Sequence, residues 1–297
     1  MRKIISLLII IIGGWYLYNH DTVQNTIKDM KKEITIPTIN AYKKDLKVNY
    51  VKNVDYFRPN SKIDLINIYY TVINSGWEEF TFYCGEQYDK CINDVEEISA
   101  NNHLLSHLNS FVHPYNSYQN LYTTYHPKSG KVTLNVFRNY DEYLIEIIDK
   151  RIDEILTEIT TSQNKIREKI KLIHDYLINN NEYDTLKMDD INDNTYHSNI
   201  AYGPLFQGYA VCSGYTDAMA LFLTELNIPN IKIATNNHVW NLVYLDNKWW
   251  HLDLTWNSPL GEKKTILDDY FLINTEKLNS YDNNDHKFDL NIYQEAK

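Results

Sequence analysis

One cysteine stands where nucleophilic chemistry is possible. Cys212 lies in "GYAVCSGYTDAMALFL", after a glycine-containing stretch and before apolar residues that recur at helical spacing. We therefore expect Cys212 at or just before the first turn of a helix. Free backbone N–H groups and the positive end of the helix dipole favour a thiolate there, and a thiolate can attack a carbonyl carbon. The alternative is a small apolar side chain that fills the loop–helix junction.

The next segment supplies a histidine and a carboxylate. "HVWNLVYLDNKWWHLDLTWN" predicts a hairpin around a tight turn at Asp246-Asn247. That turn puts His238 diagonally opposite Asp253 on one face, so the carboxylate could hold the imidazole in the tautomer that a base needs. His251 shares this face and is the competing histidine. Its position between two tryptophans and the aspartate strand favours a packing or supporting role.

Three short motifs in this order resemble the transglutaminase-like superfamily, the papain-related fold that includes transglutaminases and peptide N-glycanases. They are "AVCSGYTDAM", "HVWNLV" and "WWHLDLTWN", and the clear match covers about residues 164–259. Thr216 departs from the family pattern, which usually has alanine there. The resemblance implies an α+β fold, with a papain-like core in which the cysteine helix packs on an antiparallel sheet bearing the histidine and aspartate.

The resemblance also implies roles and a reaction. Cys212 would be the nucleophile, His238 the base and later the acid, and Asp253 the orienting carboxylate. An amide would transfer its acyl group to Cys212 as a thioester, which an amine or water would resolve, without a cofactor. The Cys212 N–H could be one arm of an oxyanion hole. Gln207 could supply a second donor, with Tyr202 as another candidate. An ordinary surface glutamine in a turn is the alternative for Gln207.

The first 20 residues predict a membrane-targeting segment. Arg2 and Lys3 precede an apolar run over residues 4–18, as in a signal peptide or signal anchor. No A-x-A-like cleavage site follows, and aromatic residues close the run, which favours an uncleaved anchor over a cleaved signal or a buried helix. Basic residues before the run predict that the rest of the chain lies outside the membrane. We therefore expect an exported protein, held at the outer side of the cytoplasmic membrane or secreted, and the resemblance implies a bacterial member of the superfamily.

Export changes the interpretation of the other two cysteines. Cys84 and Cys91, in "YCGEQYDKC", could form a local disulfide in an oxidising compartment. In a reducing compartment they would be two free thiols. With the disulfide formed, Cys212 is the odd cysteine, which suggests a reactive thiol.

Composition excludes one class of partner. The 297 residues carry a formal net charge of −10, whereas nucleic-acid-binding proteins normally present a basic field. We expect a protein or peptide substrate and contact with the membrane through the N-terminal segment. The sequence predicts no particular oligomeric state.

The pattern along the chain divides it into segments. A polar spacer is expected over residues 21–48, a small α+β domain over 49–140 and the transglutaminase-like domain over 141–297. In the small domain, "IDLINIYYTVINS" and "EEFTFYC" predict strands, "INDVEEISANNHLLSHLNSFV" predicts one helix and "YQNLYTTYHPKSGKVTLNVFRN" predicts a hairpin.

Further along, "DEYLIEIIDKRIDEILTEI" and "NKIREKIKLIHDYLINN" predict helices, with Thr160 and Gln163 at capping-box spacing between them. His174, beside the apolar stripe of the second helix, is expected to be a packed or capping histidine. "NNEYDTLKMDDINDNTYHSN" predicts a polar loop.

Two patterns resemble metal sites without completing one. His103 and His107 are four residues apart, but the glutamate of a metalloprotease motif is missing. Asp190, Asn192 and Asn194 have calcium-loop spacing but lack the glycine and the closing acidic residue. We expect no metal at either place. The competing hypothesis to an enzyme is a non-catalytic surface binding module that keeps the fold.

Overall fold

The structure is a computed structural model that describes residues 57–258 and 266–296. The expected signal anchor (1–20), the expected spacer (21–48) and residues 49–56 of the expected small domain lie outside the described residues. Within the described ranges, none of the helices combines the length and the apolar character needed to cross a membrane.

The first half of the described chain contains three helices and a three-stranded antiparallel sheet with strand order β1-β3-β2. The elements are α1 Lys62–Asn74, β1 Glu79–Tyr83, α2 Cys91–Ala100, α3 Asn102–Ser110, a 3-10 turn Pro114–Asn116, β2 Tyr118–His126 and β3 Lys131–Arg138. The hairpin β2–β3 and the strand in "EEFTFYC" are as predicted. Gly130 closes the hairpin with φ of 67°, and a Cβ there would lie 2.3 Å from the Cys84 carbonyl oxygen.

Two predictions in this half are wrong. The segment predicted as a strand over "IDLINIYYTVINS" is helix α1, whose N-cap Ser61 accepts the Asp64 N–H at 3.2 Å. From Leu65 onward almost every side chain of α1 is buried, so the segment has no polar face and its apolar pattern lacks a helical period. The single helix predicted over residues 92–112 is two, because the Asn101 side chain caps α3 by accepting the Leu104 N–H.

The second half is built around a four-stranded antiparallel sheet with strand order β6-β7-β8-β9 and a short parallel pair, β4 and β5. The helices are α4 Glu142–Ile159, α5 Ile166–Asn179, α6 Thr185–Asp189, α7 Cys212–Glu225, α8 Leu254–Asn257 and α9 Thr275–Ser280. The strands are β4 Glu182–Tyr183, β5 Tyr209–Ala210, β6 Asn230–Ala234, β7 Val239–Leu245, β8 Lys248–Leu252 and β9 Phe271–Ile273. A π-helical turn covers Gly203–Gln207, and 3-10 turns cover Asn284–His286 and Gln294–Ala296. The α+β class is as predicted.

Local details differ from the sequence expectations at two places. The predicted capping pair Thr160 and Gln163 does not start α5; the Glu168 carboxylate accepts the Lys165 N–H at 2.9 Å instead. The predicted polar loop contains β4 and α6, and Asp184 caps α6 by accepting the Lys187 N–H. In the first case a nearby polar side chain caps the helix in place of the expected pair, and in the second a polar cap starts a short helix where a loop was expected.

The four-stranded sheet separates two hydrophobic cores. Ile231, Ile233 and Trp240 pack in one core with α1, α2 and the three-stranded sheet. On the other face, Val243 and Leu252 pack with α4, α5 and α7. The sheet is therefore buried on both faces, and the start of β7 lies next to the first turns of α7, where the Thr216 hydroxyl donates to the Val239 carbonyl oxygen.

Candidate active site

Cys212 is the first residue of α7, as predicted, and the backbone around it is tightly held. The preceding residue, Val211, donates its N–H to the Ser198 carbonyl oxygen at 2.9 Å. A Cβ at Gly214 would lie 2.0 Å from that same oxygen, so only glycine fits there. These two contacts fix the start of α7, and they leave the Cys212 thiol half-buried.

The hairpin that carries the histidine forms with the predicted register. Asp246 and Asn247 have φ of 55° and 61°, the left-handed values that a tight primed turn needs. Leu245 pairs with Lys248, which sets the register of the whole hairpin. His238 directly precedes β7 and Asp253 directly follows β8, so both lie at the same end of the hairpin.

His238 and Asp253 form a buried pair. His238 Nε2 lies 2.5 Å from Asp253 Oδ2, and the two residues are 7% and 2% exposed. Because Nε2 faces Asp253, Nδ1 is the nitrogen left to face the Cys212 sulfur, and both His238 and Cys212 line the same cavity. The structure thus pairs His238 with Asp253 and places His238 and Cys212 in the wall of one cavity.

The charges of His238 and Asp253 stabilise each other. Burial works against a charged imidazole, but the Asp253 carboxylate and Cys212 raise the pKa of His238 to about 10. Burial likewise works against a charged Asp253, but His238 and then His286 lower its pKa to about 2. At neutral pH the site therefore holds an imidazolium and a carboxylate.

The Asp253 carboxylate has two further partners. Its Oδ1 accepts the Trp256 N–H at 3.1 Å, which makes Asp253 the N-cap of α8. Its Oδ2 also lies 2.8 Å from Nε2 of His286, in the 3-10 turn near the end of the chain. Sequence reasoning missed His286, because the polar segment "NNDHKFDL" has no hydrophobic period or motif that points to the site.

His251 has the supporting role expected of it. Its Nδ1 accepts the Trp240 Nε1–H at 3.0 Å, so the ring hydrogen is on Nε2, which donates to Thr275 Oγ1 at 2.9 Å. Burial, with the nearby His286 ring, lowers the pKa of His251 to about 3. His251 is thus a neutral imidazole with both nitrogens occupied, unsuited to act as a base.

His174 is packed, as expected. Its Nδ1 lies 2.8 Å from Asp175 Oδ1 and its Nε2 accepts from the Asn257 side chain at 3.0 Å. The first hydrogen bond joins neighbours on α5, and the second joins α5 to α8. Burial lowers the pKa of His174, which favours the neutral ring.

The structure does not bring Gln207 to the thiol. Gln207 ends the π-helical turn, and its side-chain oxygen accepts the His197 N–H at 2.8 Å. Tyr202 precedes the same turn, where its ring stacks on Phe206 at 4.9 Å. Neither residue lines the cavity beside Cys212. The backbone N–H of Cys212 remains the candidate oxyanion donor from the sequence.

An open cleft leads to the three residues. It has a volume of about 520 Å³, and aromatic, polar and acidic side chains line it together with Cys212 and His238. The other lining residues are Tyr183, Met188, Asn237, Thr255, Trp256, Ser258 and Asp285. Trp256 is 37% exposed and forms part of the wall of the cleft, whereas Trp240 is buried. A larger cavity of about 710 Å³ lies beside the three-stranded sheet, away from Cys212.

The groups of metal-ligand type within the described ranges are explained by other bonds. His238, Asp253 and His286 offer ligand atoms within 4.8 Å of one another, but the short contacts to the shared Oδ2 are hydrogen bonds. In a second group, Asp175 and Asp268 are neutralised by Lys171 at 2.6 Å and 3.1 Å.

The two patterns that resemble metal sites in the sequence are also used differently. His107 Nδ1 lies 2.6 Å from the Tyr293 hydroxyl, and its Nε2 faces the His103 ring. In the calcium-like loop, the Asp190 carboxylate accepts the Asn192 N–H at 2.9 Å. Both sets of groups are thus held by hydrogen bonds within the chain.

Of the three cysteines, two are joined. The structure links Cys84 to Cys91 by a disulfide, which ties the end of β1 to the start of α2. Cys212 is the free cysteine.

The comparisons with known proteins give one family match and structural similarities that cover part of the chain. Residues 153–254 match the family model of the transglutaminase-like superfamily. A solved structure described as "a TGase" is 16% identical, with a TM-score of 0.36, over 50% of this chain and 47% of its own. A "Putative Cysteine Protease from Cytophaga hutchinsonii" is also 16% identical, with a TM-score of 0.29, over 48% of this chain and 63% of its own.

The chain thus spans less than two thirds of the length of either solved structure. No curated protein matches the chain. The family match contains Cys212, His238 and Asp253, the three residues that meet at the cleft. Residues 153–254 are thus similar to the transglutaminase-like superfamily.

Proposed function

We propose that the chain is a thiol acyltransferase or amide hydrolase that acts on protein or peptide amides through Cys212, His238 and Asp253. The observation that carries the proposal is the buried His238–Asp253 hydrogen bond beside an open cleft that His238 lines together with the half-buried Cys212. A thiol, an imidazole and a carboxylate in this order are the parts that covalent acyl transfer needs.

The first half-reaction forms the acyl-enzyme. The positive imidazolium and the helix N-terminus both favour the thiolate of Cys212, which attacks the carbonyl carbon of the amide. The Cys212 N–H stabilises the oxyanion that develops on the carbonyl oxygen. A C–S bond forms, the C–N bond breaks, and the departing nitrogen takes its proton from His238. The products are a thioester and ammonia or an amine.

The second half-reaction resolves the thioester. His238, now neutral, takes a proton from an incoming amine or water, whose nitrogen or oxygen attacks the thioester carbon. The C–S bond breaks, the thiolate returns, and the imidazolium is restored. An amine gives cross-linking or transamidation, and water gives hydrolysis. The open cleft admits either acceptor.

We also propose that the reaction takes place outside the cell. The Cys84–Cys91 disulfide supports an oxidising compartment, because cytosolic proteins rarely keep such bonds. The basic and apolar run at the start of the sequence supports export by an N-terminal anchor or a cleaved signal. Surface proteins and peptides are then the substrate class within reach, and the membrane is a partner of the N-terminal segment.

The test detects transfer of the acyl group to Cys212 and its release to an amine or water. The purified chain is incubated with a glutamine-rich protein, with and without a fluorescent primary amine. Acid-quenched intact mass detects an acyl adduct on Cys212, ammonia release and amine incorporation report transamidation, and new N-termini report peptide hydrolysis.

Two matched histidine variants locate the base. His238→Gln should lose about 10²-fold to 10⁴-fold in rate, the usual contribution of general acid–base catalysis. His251→Gln, on the same face of the hairpin, should keep most of its activity. A wild-type chain that gives no adduct, no ammonia and no new N-termini would favour the non-catalytic binding module.

A further inference from the structure

We propose that His286 is a positioning residue that holds the Asp253 carboxylate in place for His238, an assignment that rests on the proposed function. Nothing in the three sequence motifs points to this histidine, which lies 33 residues after Asp253 in the chain. It reaches the site only because the C-terminal segment folds back over the end of the hairpin.

The Asp253 carboxylate is held by hydrogen-bond donors on both of its oxygens. Asp253 Oδ2 lies 2.5 Å from Nε2 of His238 and 2.8 Å from Nε2 of His286. Two ring donors thus converge on one oxygen, while the Trp256 N–H holds the other. A carboxylate with donors on both oxygens and from two sides cannot rotate without breaking a bond. This geometry aims Oδ2 at His238.

Burying the His286 ring is costly, because one of its nitrogens gains no hydrogen bond within the described part of the chain. His286 is 3% exposed, and its Nδ1 has no hydrogen-bond partner among the described residues. Its neighbours are the rings of Trp240 at 4.9 Å, Tyr270 at 4.9 Å and Trp256 at 5.3 Å. An apolar side chain would fill this aromatic pocket without an unpaired nitrogen. The feature that distinguishes histidine here is the donor to Asp253.

The turn that carries His286 is attached to the backbone next to His238. The Thr235 hydroxyl accepts the His238 N–H at 3.1 Å and lies 3.1 Å from the Asp285 carbonyl oxygen. One side chain therefore joins the backbone of the base to the turn that contains His286. Farther along, the Tyr293 hydroxyl accepts the Ala234 N–H at 3.0 Å and holds the segment against β6.

The test reads the reactivity of Cys212 rather than turnover. Four titratable groups face His286, namely His238, Asp253, His251 and Tyr270, and the first two form the site. The rate constant for alkylation of Cys212 by iodoacetamide is measured on the full chain from about pH 5 to about pH 9. Thermal unfolding is measured on the same samples.

Three variants separate the effect of the His286 N–H donor from the effect of the space that its ring fills. His286→Leu and His286→Phe keep an apolar filling but remove the donor, and either one serves if the other fails to fold. We expect each to slow alkylation at neutral pH by about tenfold, the effect of one hydrogen bond to a charged group. The pH profile should also move toward alkaline pH, because a mobile Asp253 stabilises the imidazolium less. His286→Gln retains an N–H donor at similar reach and should recover most of the rate.

Phe288→Leu is the structural control. Phe288 packs on Trp240 at 5.8 Å and Tyr293 at 6.1 Å, so its truncation loosens the same segment without removing the donor. It should lower the unfolding temperature and leave the alkylation profile unchanged. The proposal is overturned if His286→Leu and His286→Phe match the wild type, if His286→Gln behaves like them, or if Phe288→Leu slows alkylation equally.

The two proposals can fail separately. Alkylation needs no substrate, so a wild type that turns over no amide would refute the proposed function and leave the His286 result standing. Conversely, an active enzyme with unchanged alkylation in the donor-free variants would refute the role of His286 alone.

Discussion

Replacing Lys232 by methionine should lower the unfolding temperature, because the substitution leaves a buried carboxylate without its counter-charge. Lys232 Nζ on β6 lies 3.0 Å from Asp217 Oδ1 on α7, and the two side chains are 10% and 5% exposed. The other oxygen of Asp217 accepts the Tyr140 O–H at 2.8 Å. This ion pair joins the helix that carries Cys212 to the sheet beside it.

The expected magnitude follows from the burial. Removing one partner of a buried ion pair costs about 3–5 kcal/mol. Asp217 keeps its hydrogen bond from Tyr140, which puts the cost for Lys232→Met near the lower end, about 3 kcal/mol. For domains approaching this size, each kcal/mol moves the unfolding midpoint by about 2–4 °C, so we expect a fall of roughly 6–12 °C.

The assay is thermal unfolding at neutral pH, followed by circular dichroism. Adding Asp217→Asn to Lys232→Met removes the unpaired charge and keeps an acceptor for Tyr140, so it should recover most of the loss. Lys287→Met breaks an ion pair of 3.4 Å whose side chains are 62% and 89% exposed, and should leave the midpoint unchanged. The reasoning is refuted if Lys232→Met unfolds with the wild type, or if Asp217→Asn adds to the loss.

Three further predictions concern pH, the start of α7 and the disulfide. The pKa of His238 is about 10 in the folded chain against 6.5 when unfolded, so the stability that its charged form gives the fold is complete below pH 6.5 and is lost as pH rises through 10. The pKa of Asp253 is about 2 against 3.8, so the stability that its charged form gives the fold is complete above pH 3.8 and is lost as pH falls through about 2. The unfolding free energy of the wild type, measured in denaturant against His238→Gln, should therefore lose its advantage between pH 6.5 and 10, and a constant difference would contradict this. Gly214→Ala puts a Cβ 2.0 Å from a backbone oxygen, so it should destabilise the fold and slow alkylation of the neighbouring thiol; unchanged unfolding and alkylation would show that the backbone gives way. Replacing Cys84 and Cys91 by alanine opens a loop with a sequence separation of 7. The added chain entropy of the unfolded state should lower the free energy of unfolding by about 2.5 kcal/mol. An unchanged unfolding midpoint in the double variant would show that the loop is ordered without the bond.

The sequence alone predicts the parts of the site whose geometry is decided locally. Asp246 and Asn247 specify a primed turn because both tolerate positive φ, and a two-residue turn sets the register of the strands on either side. That register is enough to bring His238 and Asp253 to the same end of the hairpin. The helical period after Cys212 likewise places the thiol at the start of α7.

Tertiary structure decides what depends on distant parts of the chain. From Leu65 onward helix α1 is almost entirely buried, so its sequence carries no helical period, and only packing within the first core makes it a helix rather than a strand. Gln207 lies five residues before Cys212 in sequence, yet its side chain binds the His197 N–H instead. His286 meets Asp253 because the C-terminal segment folds back onto β6, and that contact has no counterpart in local sequence pattern. Local turn chemistry thus determines the pairing of base and carboxylate, whereas the surroundings that hold them in place are set by long-range packing.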